Sequence, residues 1–166
     1  MSEKDVTLKL TTKIIMSSGG KTLNNLFVPR NNGISSEIDI VHITKKGIFV
    51  FENKNYAGYI FGDEMNKEWT VTTYTGKNHF GRKTIAKYHF YNPIRQNKSH
   101  IKSLLEYLHM DVRTFSFITF SDRGELKNVT THSPDVFVCN HRDLSNYMSM
   151  LWDCNPYVLT EDQINY

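Results

Sequence analysis

The sequence predicts a mixed α/β domain covering residues 1–166, in which a mixed central β-sheet is flanked by α-helices. Three observations favour this fold class. A hairpin of two β-branched strands lies in the first third of the chain, further short strands follow it, and segments with helical periodicity flank the last two strands. This order is typical of a mixed sheet covered by helices. The chain shows no internal repeat or linker that would divide it.

The N-terminal part predicts a helix followed by a strand. Polar residues with N-cap and acidic first-turn chemistry favour a helix over residues 2–15, which the glycine pair 19–20 ends. Residues 23–28 have the composition of a strand, and Pro29 stops it.

The hairpin is the strongest local pattern in the chain. Residues 37–44 and 48–54 are rich in β-branched and aromatic side chains, and the short glycine-containing turn 45–47 joins them. With this turn we expect Thr44 to lie near Ile48. The pairing would bring residue 39 close to residue 52 or 53.

The rest of the chain predicts short strands and two main helices. Asn92 is the expected N-cap of a helix that has Pro93 at its first position. A second helix is expected over residues 141–152, and the last residues are expected to begin another. The basic segment 77–87, which contains two glycines, predicts a mobile loop. Further strands are expected at 59–61, 69–72, 114–120 and 136–138, with turns at 62–67 and 122–124.

Composition sets broad limits on the class of protein. The chain is 39% hydrophobic and 13% aromatic with a formal net charge of +3, which excludes a disordered chain and permits, without requiring, a polyanionic partner. Cys139 and Cys154 lack metal-ligand spacing, so we expect inert thiols in a reduced compartment. No apolar run is long enough for a bilayer and the N-terminus is polar. These features predict a cytoplasmic protein with no membrane partner.

The candidate site lies at the end of the hairpin away from its turn. There, Asp39 on one strand and Glu52 on the other can converge. Lys54 stands two positions after the glutamate, so both side chains project to one face of the strand. The simpler interpretation is a same-face salt bridge of little energetic value. The apolar run that precedes Glu52 predicts a buried strand, however, and buried charges need a partner or a function.

These residue types suit a metal-dependent hydrolase. Two carboxylates and the backbone carbonyl of Asn53 are hard oxygen ligands, which suit Mg²⁺ or Mn²⁺. A lysine beside such an ion can orient or deprotonate an attacking water and stabilise charge on a phosphate. The set predicts phosphodiester hydrolysis.

A set of short motifs occurs in a fixed order along the first two thirds of the chain. The motifs are Glu-Ile-Asp at 37–39, Lys-Gly-Ile-Phe-Val at 46–50, Glu-Asn-Lys-Asn-Tyr at 52–56, Gly58, Phe61-Gly62, Trp69 and Tyr-Asn-Pro-Ile-Arg-Gln at 91–96. In kind and order they resemble the nuclease-related domain (NERD) family of the PD-(D/E)xK nuclease superfamily. The resemblance is strongest over residues 24–108.

The resemblance implies a restriction-endonuclease-like fold and a residue-by-residue assignment of the site. Asp39 would be the motif aspartate, Glu52 the second acidic ligand and Lys54 the catalytic lysine. Gln96 would be the helix glutamine that packs against the site or contacts DNA. Glu3 matches a further acidic ligand on the first helix, although Ser2 stands where the family usually has glycine.

Basic residues near this site are candidates for nucleic-acid binding. The cations of the predicted loop, interleaved with aromatic residues, would neutralise phosphates, or else the loop is an ordinary solvated one. His100 lies one helical turn after Gln96; we expect it to face solvent. The candidate phosphate contacts are Lys77, Arg82, Lys83, Lys87, Arg95 and Lys98.

Three classes of function remain open at this point. The favoured one is Mg²⁺- or Mn²⁺-dependent cleavage of DNA, with RNA not excluded, by a homodimer or a subunit of a larger complex. By analogy, its role would be defence against foreign or plasmid DNA. The alternatives are an inactive or partner-activated nucleic-acid-binding module and a protein-interaction domain, which would show no salt-dependent DNA affinity.

Overall fold

The computed structural model describes residues 3–30 and 33–165, with the side chains of all of these except residues 3–5 and 18. It has the predicted mixed α/β class, with two sheets flanked by helices. The helices are α1 (Glu3–Ile15), α2 (Pro93–Leu108), α3 (His141–Cys154) and α4 (Glu161–Asn165), and the strands are β1 (Lys21–Pro29), β2 (Ser35–Thr44), β3 (Gly47–Lys54), β4 (Gly58–Asp63), β5 (Glu68–Lys77), β6 (Lys83–Tyr91), β7 (Thr114–Phe120), β8 (Gly124–Thr130) and β9 (Val136–Asn140).

The first sheet has the strand order β1-β2-β3-β7-β9, so β3 lies at its centre. β2 pairs with β3 antiparallel, whereas β7 pairs with β3 in parallel. Phe49 and Phe51 pack in a core with α1 and α3, and Ile48 and Val50 pack with Leu104 of α2. Because helices cover both faces, β3 is an almost uninterrupted apolar run, as its sequence predicted.

The second sheet, β6-β5-β4-β8, was not foreseen as a separate unit. Both hydrogen-bonding edges of β3 are used by β2 and β7, so the strands that follow β3 pair with one another instead. Trp69 and Ile60 are buried between this sheet and Ile94 of α2. A Cβ at Gly62 would overlap the Trp69 indole, which explains a glycine at that position.

Several local predictions need correction. Residues 77–87 are not a mobile loop: β5 and β6 form a hairpin in which Lys77 pairs with Lys83, and only residues 78–82 turn. β6 was missed because it is an edge strand with alternating exposure and many polar residues, so it lacks an apolar pattern. The turn expected at 122–124 is one residue shorter, because Gly124 is the first residue of β8, a strand that was not predicted.

The β2–β3 hairpin is confirmed, but its register is one residue tighter than expected. Thr44 pairs with Gly47, not Ile48, and Ile43 pairs with Ile48. Of the two cysteines, which are both free, Cys139 is buried and Cys154 is exposed. In residues 3–30 and 33–165, none of the helices has the length and apolar character that crossing a bilayer requires.

Candidate active site

A cavity of about 640 Å³ lies where β2 begins, β3 ends and α2 starts. It brings together all four side chains that the sequence singled out for chemistry, since Asp39, Glu52, Lys54 and Gln96 line it. The side chain of Glu3 lies outside the described residues. The other lining residues are Thr7, Arg30, Ser35, Ser36, Glu37, Asn53, Asn55, Tyr56 and His100.

Asp39 is held by the neighbouring strand. Its side chain is 5% exposed, and its Oδ2 accepts a hydrogen bond of 2.8 Å from the backbone N–H of Asn53. Asn53 is fixed in turn, because its Oδ1 accepts hydrogen bonds from the hydroxyls of Thr11 and Thr119 at 2.7 and 2.6 Å. The aspartate therefore lies on a rigid element rather than a loop, as a reactive site requires.

Glu52 and Lys54 face α2 together. Lys54 Nζ lies 2.7 Å from Glu52 Oε1 and donates a second hydrogen bond of 3.0 Å to Gln96 Oε1. The carboxylate is 5% exposed and the lysine 18%. The lysine is thus a positive charge of fixed position whose end can still be reached from the cavity.

His100 does not face solvent as expected. It is 7% exposed, lines the cavity, and its Nδ1 lies 3.4 Å from Glu52 Oε2. Burial lowers the pKa of His100 below its usual value, which the negative charge of Asp39 partly offsets. The spacing from Gln96 already placed the two side chains on one helical face, so the sequence carried a signal for His100.

Two buried asparagines fix α2 over the sheet. Asn97 Nδ2 donates to the Val50 carbonyl and to Ser116 Oγ, both at 2.9 Å. Asn92, the predicted N-cap, accepts from the N–H of Ile94 at 2.9 Å, and its Nδ2 donates to backbone carbonyls of the β4–β5 turn. These contacts set the position of Gln96 relative to Lys54.

The donor set fits a hard divalent cation. Asp39 and Glu52 offer two buried carboxylates on adjacent strands, and Mg²⁺ typically takes one or two protein carboxylates with water and substrate phosphate. Within the described residues there is no cluster of three or more His, Cys, Asp or Glu side chains that would suit zinc or a closed metal cage. The site therefore matches a cation with an open coordination sphere.

The predicted phosphate contacts lie apart from the cavity, and none of them lines it. Lys77 and Lys83 pair across the β5–β6 hairpin, and Lys87 lies opposite Thr72. By strand alternation these lysines share the face opposite the buried Trp69. Arg82 is exposed in the hairpin turn.

The two predicted phosphate-binding residues on α2 form contacts within the protein instead. Lys98 Nζ lies 2.6 Å from Glu64 Oε1. Burial raises the pKa of Glu64, but hydrogen bonds from Lys98, Ser133 and backbone N–H groups outweigh it and lower the pKa to about 2. Arg95 is exposed and donates to the Met65 carbonyl.

Sequence reasoning missed Arg30, which lines the cavity. It follows Pro29 at the end of β1, and nothing in its local pattern distinguishes it from an ordinary loop residue. Only the pairing of β1 with β2 brings it beside the first residues of β2.

This sheet, with an acidic and lysine-bearing cavity at the ends of its central strands, defines a mixed α/β protein with a nuclease-like fold. The chain belongs to the nuclease-related domain (NERD) family, whose model matches residues 2–121. The match extends on both sides of the 24–108 region expected from the motifs.

A protein of Bacillus anthracis, described as uncharacterized, is 30% identical to this chain over 144 residues. The aligned region is 87% of this chain and 62% of that protein, so the chain spans about 62% of the length of its relative.

Proposed function

We propose that this protein is a metal-dependent nuclease that hydrolyses phosphodiester bonds of DNA in the cavity between β2, β3 and α2. The observation that carries the proposal is the position of Lys54, which contacts both Glu52 and Gln96 in the cavity that Asp39 also lines. A structural salt bridge would not need a helix glutamine to orient the lysine or a second buried carboxylate beside it.

Asp39 and Glu52 would hold the cation, Mg²⁺ or Mn²⁺, with the backbone carbonyl of Asn53 as a further ligand. When bound, such an ion lowers the pKa of water and polarises the phosphoryl group. The carboxylates suit this task because both are buried and Asp39 is fixed by the backbone of the neighbouring strand.

Lys54 would act on the substrate itself. Its ammonium stabilises the negative charge that develops on the phosphate oxygens, and it orients the attacking water. The bond from the water oxygen to phosphorus forms as the phosphorus–oxygen bond to the leaving sugar breaks. The water gives up a proton to a basic group and the leaving oxygen takes one from solvent. Gln96 keeps the ammonium in position by accepting one of its hydrogen bonds.

The β5–β6 hairpin would bind substrate outside the cavity. Lys77, Lys83 and Lys87 lie on one face with exposed Tyr74, a combination that suits phosphates and bases. Changing Lys83 and Lys87 to Gln together should reduce the slope of log affinity for DNA against log salt by roughly one to two. An unchanged slope would remove the hairpin from the binding surface.

The direct test is cleavage of plasmid, linear duplex, single-stranded DNA and RNA by the purified chain with Mg²⁺, Mn²⁺ or EDTA. Asp39→Asn and Lys54→Met should each lower the rate by roughly a hundredfold or more. The matched controls are Asp135→Asn and Lys102→Met, which change exposed residues outside the cavity. EDTA should abolish cutting.

Two results would contradict the proposal. Cutting that survives in both cavity variants would belong to another site or to a contaminant. No cutting by the folded wild type would favour a nucleic-acid-binding module that is inactive or needs a partner. Assembly as a homodimer or within a larger complex stays a prediction, as does a role in defence against foreign DNA. Light scattering of the purified chain tests whether it forms a homodimer.

A further inference from the structure

Arg30 places a second positive group in the cavity. It is partly buried and lines the same space as Asp39 and Glu52. Its Nη2 donates to Ser36 Oγ at 2.8 Å and to Ser99 Oγ at 3.3 Å. These hydroxyls belong to β2 and α2, so they hold the guanidinium between two elements of the site.

The partners of Arg30 are neutral and do not offset its charge. In the part of the chain that the structure describes, no ion pair involves Arg30, although Lys54 and Lys98 are both paired with carboxylates. Its Nε is buried and has no hydrogen-bond partner. Among the described residues the guanidinium thus forms no ion pair, and its buried Nε–H is a donor without an acceptor.

The missing partner is best supplied by an anion with several oxygens. A guanidinium presents its N–H groups as a planar fork that matches carboxylate or phosphate oxygens. Asp39, Glu52 and Glu37 line the same cavity, yet none of these carboxylates forms an ion pair with Arg30. A phosphate from outside fits both the charge and the donors.

We propose that Arg30, held by Ser36 and Ser99, is a subsite for a backbone phosphate of nucleic acid adjoining the phosphate that is cut. This rests on the proposed function for the identity of the ligand. Ser99 lies three residues beyond Gln96, or roughly 4.5 Å farther along the axis of α2. Arg30 and Lys54 are thus anchored at different positions along the helix, which suits two phosphates of one strand.

The test measures binding without cleavage. Affinity of the full chain for a duplex oligonucleotide is measured in EDTA over a range of salt concentrations. Arg30→Gln should reduce the slope of log affinity against log salt by about 0.9, the value for one lost phosphate contact. Arg30→Lys should keep the slope because it keeps the charge. Arg142→Gln is the matched control, since this arginine is exposed on α3 away from the cavity.

A second readout keeps the subsite separate from the nuclease activity. Inorganic phosphate is titrated into the metal-free chain while the Arg30 Nε–H resonance is followed by NMR. We expect a saturable shift, and weaker phosphate binding in Arg30→Gln. If the wild type does not bind the oligonucleotide, the phosphate titration alone tests whether the subsite exists.

The inference is overturned if phosphate causes no saturable shift, or if Arg30→Gln lowers the melting temperature while the salt slope stays that of the wild type. The second result would make Arg30 a structural link between β2 and α2. If phosphate binds saturably but the chain cuts nothing, the Arg30 subsite stands and the nuclease proposal is rejected. If the chain cuts DNA but phosphate does not bind at Arg30, the nuclease proposal stands and the subsite is rejected.

Discussion

Gln96 Oε1 lies 3.0 Å from Nζ of Lys54, and this contact joins α2 to the last residue of β3. The ammonium is therefore held from two sides, by a carboxylate on its own strand and by an amide on the helix. A lysine with four rotatable bonds would lose considerable freedom in taking this position. These contacts fix the Lys54 side chain before any substrate binds.

Loss of the amide should slow the reaction without preventing substrate binding. We expect Gln96→Met to reduce kcat roughly tenfold or more, because a hydrogen bond to a charged group is lost, with little change in KM. Gln96→Glu keeps an acceptor and should retain more activity than Gln96→Met. Steady-state kinetics measure both, and Gln163→Met, a change on α4, is the control. Equal kcat in Gln96→Met and wild type would remove the positioning role.

Metal binding should be visible as stability. Mg²⁺ at ten times its dissociation constant should stabilise the fold by about 1.4 kcal/mol through mass action. Thermal unfolding with and without Mg²⁺ measures this as a rise in Tm. Asp39→Asn should remove the rise, whereas Asp135→Asn should not. A rise of the same size in both variants would mean that the cation binds elsewhere.

Asn97 should contribute more to stability than its polarity suggests. It is fully buried, and its amide joins α2 to β3 and β7. Asn97→Leu should lower the free energy of unfolding by roughly 2 kcal/mol, because the Val50 carbonyl and the Ser116 hydroxyl lose their donor. Urea unfolding measures the loss, and Lys102→Met, on an exposed part of the same helix, is the comparison. An unfolding free energy like that of the wild type would show that water replaces the amide.

His42 should make the protein less stable in mild acid. It is fully buried, and burial lowers its pKa to about 4, although a hydrogen bond with the Gly19 backbone acts in the opposite direction. Between pH 6.5 and 4 the unfolded chain takes up a proton that the folded chain does not, so stability falls as the pH falls. The loss from this residue amounts to roughly 3 kcal/mol.

Urea unfolding at several pH values between 4 and 7.5 tests the role of His42. In His42→Gln the decline across this range should be smaller than in the wild type. His79→Gln, which changes an exposed histidine in the hairpin turn, should decline as the wild type does. Parallel curves for His42→Gln and wild type would assign the acid sensitivity to other groups.

The parts of the fold that the sequence predicted are those with a strong local signal. The β-branched runs of β2 and β3 and the capping asparagine and proline at α2 each determine their element from nearby residues. The second sheet had no such signal, because its separation depends on which strand edges are already paired. β8 in particular is mostly exposed and polar, and its sequence resembles a loop.

The same distinction applies to the site. The alternation of Glu52 and Lys54 and the hairpin pairing were enough to bring three of its residues together. Arg30 enters the cavity only because β1 pairs with β2, and the role of Asn97 depends on α2 lying across β3 and β7. Long-range contacts of this kind cannot be read from one strand or one helix alone.

The pairing of β4 with β8 has a consequence for how the chain can be divided. The family match ends at residue 121, yet Gly58 pairs with Gly124 and Asp63 with Thr130. A protein shortened to the matched region would leave one edge of β4 with unpaired backbone groups, and α1 would lose the apolar side chains of α3. The region that the family model matches is thus smaller than the unit that can exclude water from its own interior.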